Sequence, residues 1–390
     1  MISRLEHTAE HAAHREAVRS FCETEVAPAV EEYESAGTFP EPLVAAIGEA
    51  GFGGVPYPTE LDGGGLDWRS FAITIEELSR AWKTLAGTVN VNCALVSYPI
   101  YTFGADWQRE AWLPDIFAGE AVGAFSMTEP EAGSDAAGIR TTAERDGDEW
   151  VIDGHKVWTT NGSIADLLMV VARTSDAGSQ GLSLIGIPDP AERDGVEFIN
   201  EIPCLEGETA LETEIRYDGV RVPADHLVGE VDSGFRYVME GLDIGRIGTA
   251  AQGVGIAQGA FEASRGYAGR REQFGQPIRE FEGVGFKLAD MAARTEAARL
   301  LTHHAADARD RGERVTQEAA MAKFYATDVA MDVATEAVQI HGARGYSTDY
   351  PVERYLREAK GTQIYEGTNE INRLVVANRL YEGDAGDEGD

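Results

Sequence analysis

Apolar residues recur at helical spacing through Ala9 to Glu32 and again through Phe71 to Leu85, so the chain up to about residue 118 reads as helical. Gly51-Phe52-Gly53-Gly54 and Asp62-Gly63-Gly64-Gly65 punctuate that region as loops. The pattern then shortens. Trp150-Val151-Ile152, Leu167 to Val171, Leu182 to Ile187 and Glu214 to Tyr217 read as strands. Asp146-Gly147, Asp153-Gly154 and Asp218-Gly219 are hairpin signals, because both residues of such a pair tolerate positive φ. After Gly234 the helical period returns in long Ala-rich runs: Leu242 to Arg271, Phe281 to Arg311, Gln317 to His341 and Asn369 to Leu380.

This order predicts an N-terminal all-α domain over residues 1–119, a middle antiparallel β-domain over 120–232 and a C-terminal four-helix-bundle domain over 233–382. Residues 383–390 read as a disordered acidic tail.

Hydrophobic residues make up 43% of the chain, enough for a folded core. No apolar run reaches bilayer length and the first residues lack a secretory pattern, so a cytoplasmic protein is expected. A net charge of −34 argues against nucleic acid, whose phosphates need Lys and Arg. Lysine occurs only at 83, 156, 287, 323 and 360. Acid excess spread along the chain with scarce lysine suggests a protein that works in strong salt, where a short Debye length screens self-repulsion. Cys22, Cys93 and Cys204 have neither metal nor redox spacing and read as buried reduced thiols.

Two patterns suggest chemistry and are better explained otherwise. His7, His11 and His14 share one helical face, but no fourth ligand or general base is near, so incidental histidines on an exposed helix are expected. The run from Gly253 to Gly259 lacks a preceding strand and misplaces its third glycine for a dinucleotide loop. Close helix packing through small residues accounts for it.

Three segments remain. Ala124-Phe125-Ser126-Met127-Thr128-Glu129-Pro130-Glu131-Ala132-Gly133-Ser134-Asp135 falls where the helical part of the sequence meets the β part. It offers neutral hydrogen-bonding groups to a polar ring or phosphate. Lys156-Val157-Trp158-Thr159-Thr160-Asn161-Gly162 puts an aromatic and a hydroxyl at a strand end. Near the C-terminus, Tyr365-Glu366-Gly367-Thr368 precedes the last helix, which Thr368 would cap. The residues alone leave open whether Glu366 is a solvated surface carboxylate or a partly desolvated one.

Together these segments resemble the acyl-CoA dehydrogenase family, from about Phe21 to Tyr381. The resemblance implies FAD-dependent oxidation of an acyl-CoA to the trans-2-enoyl-CoA, with Glu366 as the base that removes the α-proton and hydride passing to flavin N5. It implies FAD contacts at Phe125, Met127, Thr128, Ser134, Trp158, Thr160, Arg271, Gln273, Phe274, Gln339, Gly342, Ala343, Thr368 and Glu370. It implies substrate contacts at Ser134, Asp243, Arg246, Tyr365 and Gly367, and no metal. Electron-transfer flavoprotein as acceptor and a homotetramer built as a dimer of dimers are implied in the same way. Some relatives carry the base where this chain has Gly245, which excludes that variant.

Three departures stand out. Glu282 replaces a usual Gln near the FAD adenine side, and Cys204 to Leu211 is acidic where relatives often read basic. Ala86 falls where glutaryl-CoA relatives carry an Arg, which favours a short or branched monoacyl substrate over a dicarboxylic one. The rival readings are an acyl-CoA oxidase and a non-catalytic family scaffold.

Overall fold

The computed structural model describes residues 8–381, so His7 and the acidic stretch 383–390 lie outside it. In chain order the helices are α1 (Ala9–Phe21), α2 (Val30–Ala36), α3 (Glu41–Glu49), α4 (Trp68–Ala81), α5 (Lys83–Asn90), α6 (Tyr98–Phe103), α7 (Asp106–Ala118), α8 (Gly234–Arg270), α9 (Glu282–Asp310), α10 (Thr316–His341), α11 (Val352–Thr362) and α12 (Asn369–Arg379). The strands are β1 (Gly123–Ser126), β2 (Thr142–Asp146), β3 (Glu149–Thr160), β4 (Leu167–Arg173), β5 (Leu182–Pro188), β6 (Val196–Glu201), β7 (Glu212–Pro223), β8 (Glu272–Gln273) and β9 (Gln276–Pro277). Two compact units divide the described chain: residues 8–29, 68–87 and 246–381 form one, residues 30–67 and 88–245 the other.

The second unit holds a seven-stranded sheet ordered β1-β4-β2-β3-β7-β6, with β5 beside β4. Burial along β7 alternates, as a half-buried strand requires, whereas six of the seven residues of β4 are buried. Trp150, Ile152, Leu168, Val170, Ile185, Ile215 and Val220 meet in the core of this sheet. The expected antiparallel domain is in fact mixed, because β1 pairs parallel to β4 and β2 touches β4 in parallel at Thr142 and Arg173. Parallel neighbours need a long crossover, and the segment from β1 to β4 supplies one that contains the β2–β3 hairpin.

Of the three Asp-Gly pairs, only Asp146-Gly147 turns a hairpin, between β2 and β3. Asp153-Gly154 and Asp218-Gly219 face each other across a register shift between β3 and β7, where Asp153 Oδ1 accepts from Gly219 N at 2.7 Å. A bulge needs the same positive φ as a tight turn, which Gly219 adopts at 62°, so the sequence signal cannot separate the two.

In the first unit, α9 and α10 pack as long antiparallel neighbours and α4 lies between α1 and α9. The glycines of α8 permit contact that no side chain could: a Cβ on Gly255 would come within 2.2 Å of the Glu76 carbonyl, and one on Gly259 within 2.5 Å of the Tyr355 hydroxyl. Close packing through small residues is therefore the reason for this run. The helix expected over Ala9 to Glu32 ends at Phe21, continues as a wide turn over Cys22–Val26 and resumes as α2. His11 is buried and bonds Thr8, while His14 bonds Thr74 at 2.8 Å, so neither is the exposed incidental residue expected. Among the described residues no group of His, Cys, Asp or Glu could hold a metal, and no helix is long and apolar enough to cross a membrane. Cys22 and Cys93 are buried and Cys204 is half-buried, all as free thiols.

Candidate active site

Seven non-glycine residues among those described have positive φ. Asp62, Asn161, Asp189 and Asp232 are of the types that tolerate it. The other three are Trp158, Phe274 and Glu366, each a position singled out from sequence. Left-handed backbone at bulky residues is costly and persists only where surrounding contacts enforce it.

In the sheet-containing unit the enforcing contacts surround Trp158. The register between β3 and β7 slips between Lys156 and Thr159, so Trp158 sits in a bulge with its indole 51% exposed. Val157 N donates to Thr128 O at 2.9 Å, and the buried Lys156 ammonium donates to Met127 O at 2.8 Å and Glu129 Oε1 at 2.9 Å. Glu129 also accepts from the amides of Arg140 and Thr141, both at 2.8 Å. Burial works against this ion pair and pushes Lys156 down to about 8, while Lys156 and the two amides keep the Glu129 carboxylate below its usual range. Behind the bulge, Ser126 Oγ lies 2.9 Å from the Tyr217 hydroxyl and 3.2 Å from that of Thr159. The segment carrying Phe125, Met127 and Thr128 is thus lashed to the bulge carrying Trp158. Ser134 lies exposed in the loop beyond, and the Thr160 hydroxyl donates to Glu212 at 2.9 Å. Asp243, on the part of α8 in this unit, is buried.

In the helical unit, α11 ends at Thr362 and the chain turns through Glu366, with φ of 56°, and Gly367, with φ of 83°. Thr368 then caps α12 by accepting from Ile371 N at 3.3 Å, as expected. Carbonyl oxygens in the turn are pinned from three directions. Arg246 Nε donates to Glu366 O at 3.4 Å, Lys323 Nζ to Gly367 O at 2.8 Å, and Asn372 Nδ2 to Gly367 O at 2.7 Å. Glu366 as a residue is only half-buried, yet its Oε2 is sealed from solvent and has no hydrogen-bond partner among the described residues. Burial pushes this carboxyl up to about 7, against the opposing influence of Arg246 and Lys323. The neighbouring Tyr365 hydroxyl donates to Gln252, and the Lys83 ammonium stands 4.9 Å above its ring.

The remaining expected contacts of this unit are mostly bare. Arg271 is half-buried at the end of α8, and Gln273 and the 95%-exposed Phe274 form the β8–β9 hairpin. Gln339 is exposed on the last turn of α10, followed by exposed Gly342 and Ala343; Gly342 takes φ of 62° where the helix stops. Glu370 is exposed in the first turn of α12. Lys156, Glu129, Lys323 and Gln252 were not expected. No local signal marks the two lysines. Only five lysines occur in the chain, and Lys83, Lys156 and Lys323 are all buried, so a residue scarce on the surface is kept inside.

Three family models tile the chain: the acyl-CoA dehydrogenase N-terminal domain over residues 8–120, the middle domain over 124–220 and the C-terminal domain over 232–381. The chain belongs to the acyl-CoA dehydrogenase family. It is 42% identical over 377 residues to an acyl-CoA dehydrogenase of Bacillus subtilis (strain 168), covering 96% of this chain and 99% of that one. It is 38% identical to the short-chain specific acyl-CoA dehydrogenase of Clostridium acetobutylicum, covering 94% of this chain and 97% of that one. The solved butyryl-CoA dehydrogenase of Megasphaera elsdenii superimposes with a TM-score of 0.94 at 37% identity, covering 97% of this chain and 100% of that one.

Acyl-CoA dehydrogenases are FAD flavoproteins that oxidise a CH–CH bond of an acyl-CoA, and this chain is an enzyme of that class. Its residues fit the cofactor. A half-exposed indole held in a strained bulge offers a flat apolar face, and the guanidinium of Arg271 suits a pyrophosphate. Glu282 is exposed in the first turn of α9, where the helix dipole favours an acid.

Proposed function

We propose that this acyl-CoA dehydrogenase acts on a short or branched monoacyl-CoA, with Glu366 as the base that removes the α-proton on the way to the trans-2-enoyl-CoA. The observation that carries the reading is the Glu366 carboxyl, whose Oε2 is buried with no hydrogen-bond partner among the described residues and which burial pushes up to about 7. A carboxylate in its ordinary range is too weak a base for a carbon acid, and one tuned near neutrality is both ionised and basic enough to act. The backbone N–H of Glu366 would stabilise the negative charge that develops on the thioester oxygen. FAD, when bound, supplies the acceptor for the β-hydrogen, which leaves as hydride to flavin N5.

Phe125, Met127, Thr128, Ser134, Trp158, Thr160, Arg271, Gln273, Phe274, Gln339, Gly342, Ala343, Thr368 and Glu370 would contact FAD. Ser134, Asp243, Arg246, Tyr365 and Gly367 would bind the acyl-CoA. Short acyl length has its own support beside the base. Gln252 Nε2 donates to the Ala86 carbonyl at 3.5 Å and its Oε1 accepts from Tyr365, so a bonded polar group fills the space at the hydroxyl of the residue that precedes the base. Ala86 is buried and brings no cation for a second carboxylate.

Phe274 stands almost wholly exposed on a strained backbone, which supports a homotetramer, a dimer of dimers, in which a second copy covers the hairpin. Electron-transfer flavoprotein is the proposed acceptor and the cytoplasm the proposed location. The test of the base is Glu366→Gln: the variant should keep FAD and lose turnover by several orders of magnitude, and near-normal turnover would sink the assignment.

A further inference from the structure

Lys323 lies within the first half of α10 with no exposed surface, an unusual place for one of only five lysines. An isolated buried ammonium is expensive unless its hydrogens are used. Two of them are: Nζ donates to Gly367 O at 2.8 Å and to Asn369 Oδ1 at 2.9 Å. Asn369 is itself held by Thr327 Oγ1 at 2.9 Å and Asp328 Oδ1 at 2.8 Å, so the first residue of α12 is clamped onto α10. Gly367 O is the carbonyl directly after Glu366, at the point where the chain has two consecutive positive φ angles.

We propose that Lys323 is the positioning residue of the proton-abstraction step, fastening the left-handed Glu366–Gly367 turn to α10 and supplying counter-charge to the Glu366 carboxylate. The inference rests on the reading of Glu366 as the base. The geometry separates two jobs. The bond to Gly367 O fixes the Gly367–Thr368 peptide, one residue beyond the base, so the carboxylate cannot relax out of its strained position by rotating the turn. The charge acts through space, since among the described residues Arg246 and Lys323 are the cations whose charge favours the ionised Glu366 carboxylate. Around Lys323 itself stand Glu366, Arg246 from α8, Asp328 from its own helix and Glu370 from α12. Burial pushes the Lys323 ammonium down to about 7, with Glu366 pulling the other way, so the lysine and the base titrate in the same range. Either charge form of the amine retains hydrogens for both acceptors.

A single assay reads the proton step alone. Acetyl-CoA has α-hydrogens and no β-carbon, so exchange of its methyl hydrogens in deuterated water, with the FAD-loaded enzyme, reports α-proton removal without hydride loss. Lys323→Met should move the acid limb of exchange upward by roughly one pH unit, because an opposite charge beside the carboxylate is lost. Exchange below that limb should fall roughly tenfold. Lys323→Gln keeps an N–H donor without charge, and should show the same shift with a smaller loss on the alkaline plateau. A KM for acyl-CoA within about threefold of the parent chain should accompany both, since Lys323 is not itself among the residues that would bind the acyl-CoA. An unmoved acid limb in both variants, or failure of both to fold with FAD, would make Lys323 a structural residue only and overturn the proposal. Glu366→Gln is run beside them. Exchange at the parental rate in that variant removes the base reading itself, whereas its loss with an unaffected Lys323→Met removes only the role of the lysine.

Discussion

Arg246 Nε donates to the backbone carbonyl of Glu366 at 3.4 Å, while the Oε2 of that same residue is buried with no hydrogen-bond partner among the described residues. The main chain of the base is tied down and one of its carboxylate oxygens is left available. This division suits a group that must meet a carbon-bound proton: rigid in position, with an oxygen not committed to another donor.

The pH dependence follows from the direction of the Glu366 shift. Burial raises the carboxyl to about 7, and the base works only when ionised, so kcat/KM should climb with pH through about 7 and level off above it. For stability the sign is opposite. A folded-state value above the unfolded one favours the folded chain at low pH, and that contribution is lost as pH rises through about 7. Glu366→Gln removes the penalty of ionising the buried group. Its Tm at pH 8 should therefore be higher than the parent's, by about 2 °C, as calorimetry would read.

The ion pair of Lys156 and Glu129 should be needed for cofactor retention. Lys156→Met strips the Met127 carbonyl and the Glu129 carboxylate of a buried cation at once. Breaking a buried pair from one side costs about 3–5 kcal/mol. The variant should lose FAD on gel filtration at concentrations where the parent stays yellow, and retention equal to the parent's would show that the bulge at Trp158 holds without it.

Chain-length preference should move with Gln252. Replacing it by Ala removes the group bonded to both Ala86 and Tyr365 and opens room at the Tyr365 hydroxyl. Each additional buried methylene contributes roughly 0.8 kcal/mol, so acyl chains longer by about two carbons should gain roughly tenfold in kcat/KM relative to short ones. A parallel drop for all lengths would mean that Gln252 serves only to hold Tyr365.

Strong salt should separate two kinds of charge. Glu76 is buried, and although burial opposes its ionisation, Arg299, His303 and Arg15 hold its carboxyl well below the usual range. Its stabilising contribution is present above the ordinary carboxylate range and is lost as pH falls through the depressed value. Because salt screens buried pairs weakly, Glu76→Gln should cost about 3 kcal/mol in molar salt as well as in dilute buffer. The parent chain, carrying −34, should by contrast lose stability on dialysis into low salt, and an unchanged Tm there would end the salt-adaptation reading.

Much of this was legible in the chain, and the gaps have physical causes. Thr368 marked the start of α12, and with it the place of Glu366 just outside the helix, because a cap is a local signal. The glycines of α8 were legible for the same reason. Lys323 was not: nothing in Ala322-Lys323-Phe324 separates a buried lysine from a surface one, since its partners Gly367 and Asn369 lie more than forty residues away. Lys156 was hidden in the same way by its distance from Met127 and Glu129. The bulge at Asp218-Gly219 looks like a turn because the backbone asks positive φ of glycine in both, whereas Gly154 lacks positive φ and is needed because a Cβ there would strike Thr141. The parallel pairing of β1 with β4 depends on which strands meet after a crossover, which no local pattern records.

The most direct test is an anaerobic titration of the protein, purified in strong salt, with saturated acyl-CoAs of rising chain length while its visible spectrum is recorded. The account predicts a yellow flavin spectrum that butyryl-CoA or a similarly short or branched thioester bleaches, and that the same thioester leaves intact in Glu366→Gln. A flavin that no acyl-CoA reduces, or a colourless protein that FAD cannot reconstitute, would contradict it.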